Sequence, residues 1–199
     1  MKVSSSQRTA LLEKYRDINV DFDWWQDVYE QFRMDMDAVG IAVSRMFFSG
    51  FWSQGDGACF IGHLGNALTY LDHHHKDQYP MIRKLLEVDG DVYVHCSHRG
   101  HYYHENCTEF WVDADTLTGM LPQPTEFHER VAEQWQAALD AEVVAFEENV
   151  TDQWRTYMRE LYRRLEEEYD SRTSDDAVWD TIEANELIED IDDDDAEAA

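Results

Sequence analysis

What this chain has little of narrows its class first. Cysteine is limited to Cys59, Cys96 and Cys107, an odd set with no CxxC pair. That argues against a disulfide scaffold and fits small buried thiols in a reducing cytoplasm. No basic stretch followed by an apolar core opens the sequence, and no apolar run approaches the ~20 residues a membrane-crossing helix needs. A membrane partner is therefore not expected. Lysine occurs only at Lys2, Lys14, Lys76 and Lys84. Glycine, proline and serine never gather into a linker that would divide two domains, and no internal repeat is visible. A nucleophile elbow, P-loop, dinucleotide-binding fingerprint and zincin helix are all missing.

What is there is acid and aromatic. Aspartate and glutamate total 43 against 16 lysines and arginines, a formal net charge of −27. Such a field repels nucleic acid and anionic lipid and attracts basic protein surfaces over long range. Direct nucleic-acid binding is thus not expected. The charge leaves three explanations open: a solubilising surface, adaptation to high salt, or imitation of a phosphate backbone. The 43% hydrophobic content, with seven Trp, ten Tyr and nine Phe, can build a core without metal or disulfide.

The length fits one domain, expected as a single α+β unit over residues 1–188 with a disordered acidic tail at 189–199. Residues 4–17 read as a short serine-capped helix. A second helix starts near Asp21 or Asp23, with Trp24, Val28 and Phe32 at i, i+4, i+8, and Gly40 as its C-terminal glycine. Residues 43–52 and ACFIG, joined by SQGDG, read as a β-hairpin. Short helices are expected at 66–71 and 79–87, the second with Pro80 near its start. Residues 91–113 form a second hairpin candidate. If Arg99-Gly100 is its two-residue turn, His98 faces His101, Cys96 faces Tyr103, Val94 faces Glu105 and His95 pairs with His104. The two hairpins make an antiparallel sheet of about four strands, packed against N-terminal and long C-terminal helices. From Thr125 the chain is helical, with Trp154, Met158, Leu161 and Leu165 as an apolar stripe, either in one kinked helix or in an antiparallel pair. Ser174 caps a last helix carrying Val178, Trp179 and Ile182.

Chemistry concentrates around the hairpins. His95, His98, His101, His104 and Cys107 recur at every third position, with His73, His74 and His75 upstream. Imidazole and thiolate suit zinc. A period of three, however, matches neither a strand face nor a common zinc spacing. A transition-metal set of His95, His104 and Cys107 therefore stands beside the plainer alternative of sheet histidines with local hydrogen bonds, and the leading expectation is no cofactor. A hydrolytic alternative would use Asp56, His104 and Glu105 as base, acid or metal ligand. In the SQGDG loop, Gly55 and Gly57 permit positive φ or close approach of backbone. Two roles stay open for this loop: a turn that needs glycine for geometry, or a rigid contact built from Trp52, Ser53, Gln54, Gly55, Asp56 and Gly57, with Tyr102 and His104 from the second hairpin.

The segments RDINVDFDWW, FFSGFWSQGDGACF and SHRGHYYHENC, with the helical YRRLEEEYDSRTSDDAV and TIEAN, resemble an uncharacterised phage and prophage protein family over roughly residues 8–188. Members carry an FSGFWSQGDGA hairpin, matched here by Ser49 through Ala58, and a GxYxHExC-like strand, matched by Gly100, Tyr102, His104, Glu105 and Cys107. The dense additional histidines and the acidic tail depart from that pattern. Proteins of this kind are sometimes labelled antitoxins of toxin–antitoxin stability systems. The resemblance implies a phage-type accessory protein in the host cytoplasm; together with the −27 charge it points to one that binds and inhibits a host protein with a basic surface, a nucleic-acid-processing or defence factor. The metal-dependent hydrolase or nuclease is the alternative, and a virion component is a third, weaker reading.

Overall fold

The computed structural model describes residues 3–121 and 129–188. The expected tail and the expected helix start at Thr125 lie outside them. The described chain is α+β: seven helices and a four-stranded antiparallel sheet in the order β1-β2-β3-β4. Its contacts cluster into two units, one from Tyr29 to Tyr162, the other combining the chain up to Val28 with the chain from Arg163 onward.

In the second of these units, α1 (Ser5–Lys14) opens on a capping box in which Ser4 and Gln7 satisfy each other's backbone N–H. Its Leu11 and Leu12 pack with Val178 and Ile182 of α7 (Asp175–Ala184), joined by Tyr15, Ile18 and Trp179. Ser174 caps α7 through a bond from the Ala177 amide, as its position suggests. Arg16 donates to the Thr173 carbonyl at 3.1 Å and to Asp175 at 2.6 Å, tying the two ends of the sequence together.

The Tyr29–Tyr162 unit holds the sheet. Most of α2 (Gln26–Ala38) lies here, ending before Gly40, which adopts φ +84°. An added Cβ at Gly40 would sit 2.4 Å from the Asn66 carbonyl oxygen, so glycine is required for space as well as for φ. β1 (Ile41–Ser49) and β2 (Gly57–Leu64) form the expected hairpin, with a bulge between Val43 and Arg45. α3 (Ala67–His74) follows. α4 (Pro80–Val88) has proline in its first turn, and there the Glu142 carboxylate accepts from the Met81 and Ile82 amides at 2.9 and 3.0 Å. β3 (Tyr93–His98) and β4 (Thr108–Asp113) complete the sheet, and α5 (Asp115–Gly119) is a short turn of helix.

α6 (Glu129–Arg172) is one helix of 44 residues, which settles the choice between one helix and an antiparallel pair. Its Trp154 packs on Phe60 of β2 (ring centroids 5.7 Å) and Phe110 of β4 (6.0 Å), while Phe32 of α2 reaches Phe60 at 5.9 Å. Trp154, Met158 and Leu161 are fully buried along this stripe. At about 25 cal/mol per Å² of apolar surface, each side chain of this size contributes roughly 2–3 kcal/mol of burial energy.

The second hairpin departs from expectation. His98 pairs with Thr108, Cys96 with Phe110, Val94 with Val112 and His95 with Trp111. Arg99-Gly100 is not a two-residue turn, because residues 99–107 form a nine-residue connection ending in a 3₁₀ turn at Glu105–Cys107. His95 therefore does not pair with His104. The 99–107 connection instead folds back against the first hairpin, where Tyr102 and His104 closely approach Gly55 and Gly57.

Candidate functional site

The loop between β1 and β2 is fastened by its own aspartate. One carboxylate oxygen of Asp56 accepts from the Trp52 amide at 3.0 Å and the Ser53 amide at 2.7 Å, and the Asp56 amide donates to the Ser53 carbonyl. One carboxylate reaching back to amides three and four residues earlier fixes the loop from within. Gly55 takes φ +96°.

The 99–107 connection lies against this loop. An added Cβ at Gly55 would come within 2.9 Å of the Tyr102 ring, and one at Gly57 within 2.9 Å of the His104 Cα. Both glycines are therefore needed for close approach, and Gly55 for its φ as well. The two loops form one assembly, and the geometric need for glycine in the SQGDG turn is met at both positions. Tyr103 anchors the connection from beneath, stacked on Phe47 at 5.1 Å and beside His98 at 5.1 Å. His98 Nε2 is 2.9 Å from the Tyr102 carbonyl, to which its ring N–H donates.

Glu105 fixes the far end. Its side chain is 12% exposed; Arg159 of α6 donates to it at 3.4 Å, and His104 Nδ1 lies 3.0 Å from it. The Asn106 amide donates to the same Nδ1 at 3.2 Å. Tyr162 of α6 donates to the Gly50 carbonyl at 3.3 Å, and its ring contacts Phe51 at 5.6 Å. Arg159 and Tyr162 do not stand out in the sequence. Their only signal is their place next to the apolar stripe of α6, where polar residues read as solvated surface.

On this fastened base two rings project. Trp52 is 73% exposed and Tyr102 is 60% exposed. Ser53 and Gln54 are exposed at the tip beside Trp52. The structure thus brings Trp52, Ser53, Gln54, Gly55, Asp56, Gly57, Tyr102 and His104 into one assembly. His95 stands apart on β3, stacked between Tyr93 (6.2 Å) and Trp111 (5.7 Å). Cys107 closes the 3₁₀ turn, its amide donating to the His104 carbonyl. No three histidine, cysteine, aspartate or glutamate side chains gather as a metal set among the described residues, and His95, His104 and Cys107 are not brought together. Burial pushes the Cys59 and Cys96 thiols up to about 12, which makes both poor nucleophiles.

A second group of rings lies inside the same unit. Tyr70 and Trp154 are fully buried, and the Trp154 indole N–H faces the Tyr70 hydroxyl closely enough to favour its ionised form slightly. Neither atom reaches hydrogen-bond geometry with any described group, so the two remain unbonded. Burial outweighs that effect and raises the Tyr70 hydroxyl. His75 is buried, which lowers it, and the Gln78 side chain beside it offsets part of that shift. His74 meets the Tyr157 hydroxyl at 2.9 Å and the Tyr70 ring at 4.6 Å. Burial, with the neighbouring His73 and His75, lowers His74 to about 4.

Among the described residues no helix is long and apolar enough to cross a membrane. The chain belongs to the family described as a domain of unknown function, DUF8835, which it matches over residues 24–175. That span includes both loops, Arg159 and Tyr162. No curated protein and no solved structure matches the chain.

Proposed function

We propose, taking membership of the DUF8835 family as the premise, that this chain is a binding protein whose contact element is the fastened loop pair at 50–57 and 99–107. The observation that carries this is the exposure of Trp52 and Tyr102 on a base whose polar groups are already paired. Aromatic anchors held in place before contact bind well because little side-chain and loop entropy is lost on association. The net charge of −27 gives the partner its character: a protein with a basic surface, approached by electrostatic steering. We read the setting as a phage-type accessory protein in a host cytoplasm. Its target is a nucleic-acid-processing or defence factor, whose basic groove the acidic chain occupies in place of DNA or RNA. Antitoxin action is the same physics with a basic toxin as partner.

The hydrolase alternative draws less support. Asp56 spends its carboxylate on two backbone amides, and Glu105 is engaged by Arg159 and His104. These residues act as fasteners.

The test is an affinity capture from nuclease-treated bacterial lysate at low and at high salt. One nucleic-acid enzyme, toxin or defence protein captured stoichiometrically and released by salt supports the reading. Capture unaffected by salt, or no capture, counts against it.

A further inference from the structure

β4 is one edge of the sheet, and among the described residues β3 is its only paired strand. The β3–β4 register runs unbroken from His98↔Thr108 to Tyr93↔Asp113, and the Arg99 amide extends it by donating to the Cys107 carbonyl at 2.7 Å. Antiparallel ladders alternate hydrogen-bonded and open pairs. Counted from Arg99–Cys107, residues Glu109, Trp111 and Asp113 turn their backbone groups towards β3. Thr108, Phe110 and Val112 then turn theirs to the open edge. The opposite edge, β1, is interrupted by the bulge between Val43 and Arg45, where the Ser44 hydroxyl donates to the Ile61 carbonyl at 2.9 Å. Bulges blunt edges against strand addition, so β4 is the regular edge of the two.

Beside β4 the helix α6 supplies a second wall. An open groove of about 480 Å³ is lined along the strand edge by residues 108–111, from both faces of β4, and on α6 by Glu147, Thr151 and Arg155. Phe110 is fixed against Trp154, with the Arg155 guanidinium 5.7 Å above its ring. On the other face of the strand the order is acid, aromatic, acid: Glu109, Trp111, Asp113. The stack of Tyr93, His95 and Trp111 fixes the indole, which is 48% exposed. Glu109 is paired with Arg99, whose side chain is 76% exposed.

We infer that the β4 edge takes up an extended lysine- or arginine-rich segment of the partner protein as a fifth strand. Its backbone bonds to Thr108, Phe110 and Val112, and alternate cationic side chains lie over Trp111 between Glu109 and Asp113. Apolar side chains of the same segment face Phe110 in the groove, with Glu147 as a further anionic contact. This deepens the proposed function and rests on it for the existence of a basic partner. Basic arms of nucleic-acid-binding proteins have this chemistry. A second copy of the chain does not fit, because two edges carrying Glu109 and Asp113 on a −27 chain repel.

The probe is an acetylated octapeptide alternating lysine and valine, titrated into the full-length protein while backbone amides are followed by NMR. The expected result is saturable binding with shifts and exchange protection at Thr108, Phe110 and Val112. N-methylating every valine, which removes the amides that reach β4, should weaken binding at least tenfold at unchanged charge. Val112→Pro should do the same by deleting one edge amide. Equal affinity for the methylated peptide, or shifts confined to 50–57, would overturn the inference. So would edge amides already protected without peptide. Trp52→Ala should leave peptide affinity unchanged. If partner capture is lost in Trp52→Ala but survives Val112→Pro and the peptide does not bind, the edge inference fails and the proposed function stands. If the peptide binds β4 yet no basic partner is captured, the proposed function fails alone.

Discussion

The loop pair and the interior cluster around Tyr70 are both assemblies of rings and polar groups in the Tyr29–Tyr162 unit, and they treat their polar atoms in opposite ways. In the loops, Asp56, Glu105 and the Gly50 carbonyl all have partners, and the rings of Trp52 and Tyr102 stand exposed above them. In the interior, the Tyr70 hydroxyl and the Trp154 indole N–H face each other without reaching hydrogen-bond geometry, and the buried His75 ring has the Gln78 side chain as its polar neighbour. Surface polar groups could have used water, yet here the chain pairs them. Buried ones cost about 1–3 kcal/mol each when unpaired, yet here those of Tyr70 and Trp154 are left so. The contrast separates a region selected for fixed shape from one in which tight ring packing wins over polar satisfaction.

Breaking the loop assembly should have the largest effect. Gly57→Ala forces a Cβ to 2.9 Å from the His104 Cα, a backbone atom that cannot turn aside. Overpacking of this kind costs about 2 kcal/mol, and urea denaturation should show it. Asp56→Ala removes both fastening bonds and should cost about 1 kcal/mol while raising amide exchange at 52–57. If neither variant loses stability, the two loops are not the single assembly described.

The interior cluster predicts an acid sensitivity. His74 is lowered to about 4 in the folded protein, against 6.5 unfolded, so its neutral form stabilises the fold above about pH 6.5 and that contribution is lost as pH falls towards 4. A tenfold difference in proton affinity between the folded and unfolded chain corresponds to about 1.4 kcal/mol, and partial exposure of the ring reduces the total to about 1–2 kcal/mol. Melting curves between pH 7 and 4.5 should fall more for the parent than for His74→Gln, which shares every carboxylate but lacks the titrating ring. Equal slopes would show that His74 contributes nothing to the acid sensitivity. The smallest effect is expected from Tyr70→Phe, which deletes an unpartnered hydroxyl. Its stability should stay level or rise by up to about 1 kcal/mol. A clear loss would mean the hydroxyl is paired.

Much of this architecture is legible in the sequence, because local signals carry it. Ser4 and Ser174 mark their helices, Gly40 ends α2, Pro80 opens α4, and SQGDG joins β1 to β2. The register of β3 and β4 is not legible. Arg99-Gly100 looks like a tight turn, and choosing between it and a nine-residue connection depends on Gly55 and Gly57 leaving room for Tyr102 and His104, a contact some 45 residues distant in the chain. The same non-local dependence hides Arg159 and Tyr162. Residues Trp52 to Gly57 fall together from the loop alone, whereas grouping His95 with His104 requires a register that the sheet does not adopt.

Trp52 and Tyr102 stand at the centre of the proposed function, as the anchors of a protein contact. The most direct measurement is the affinity of the captured partner for the parent chain and for Trp52→Ala/Tyr102→Ala, with melting temperature recorded on each sample. The expected result is a loss of roughly thirtyfold, about 2 kcal/mol, with melting unchanged because both rings are exposed. Undiminished affinity in a folded double variant would contradict it.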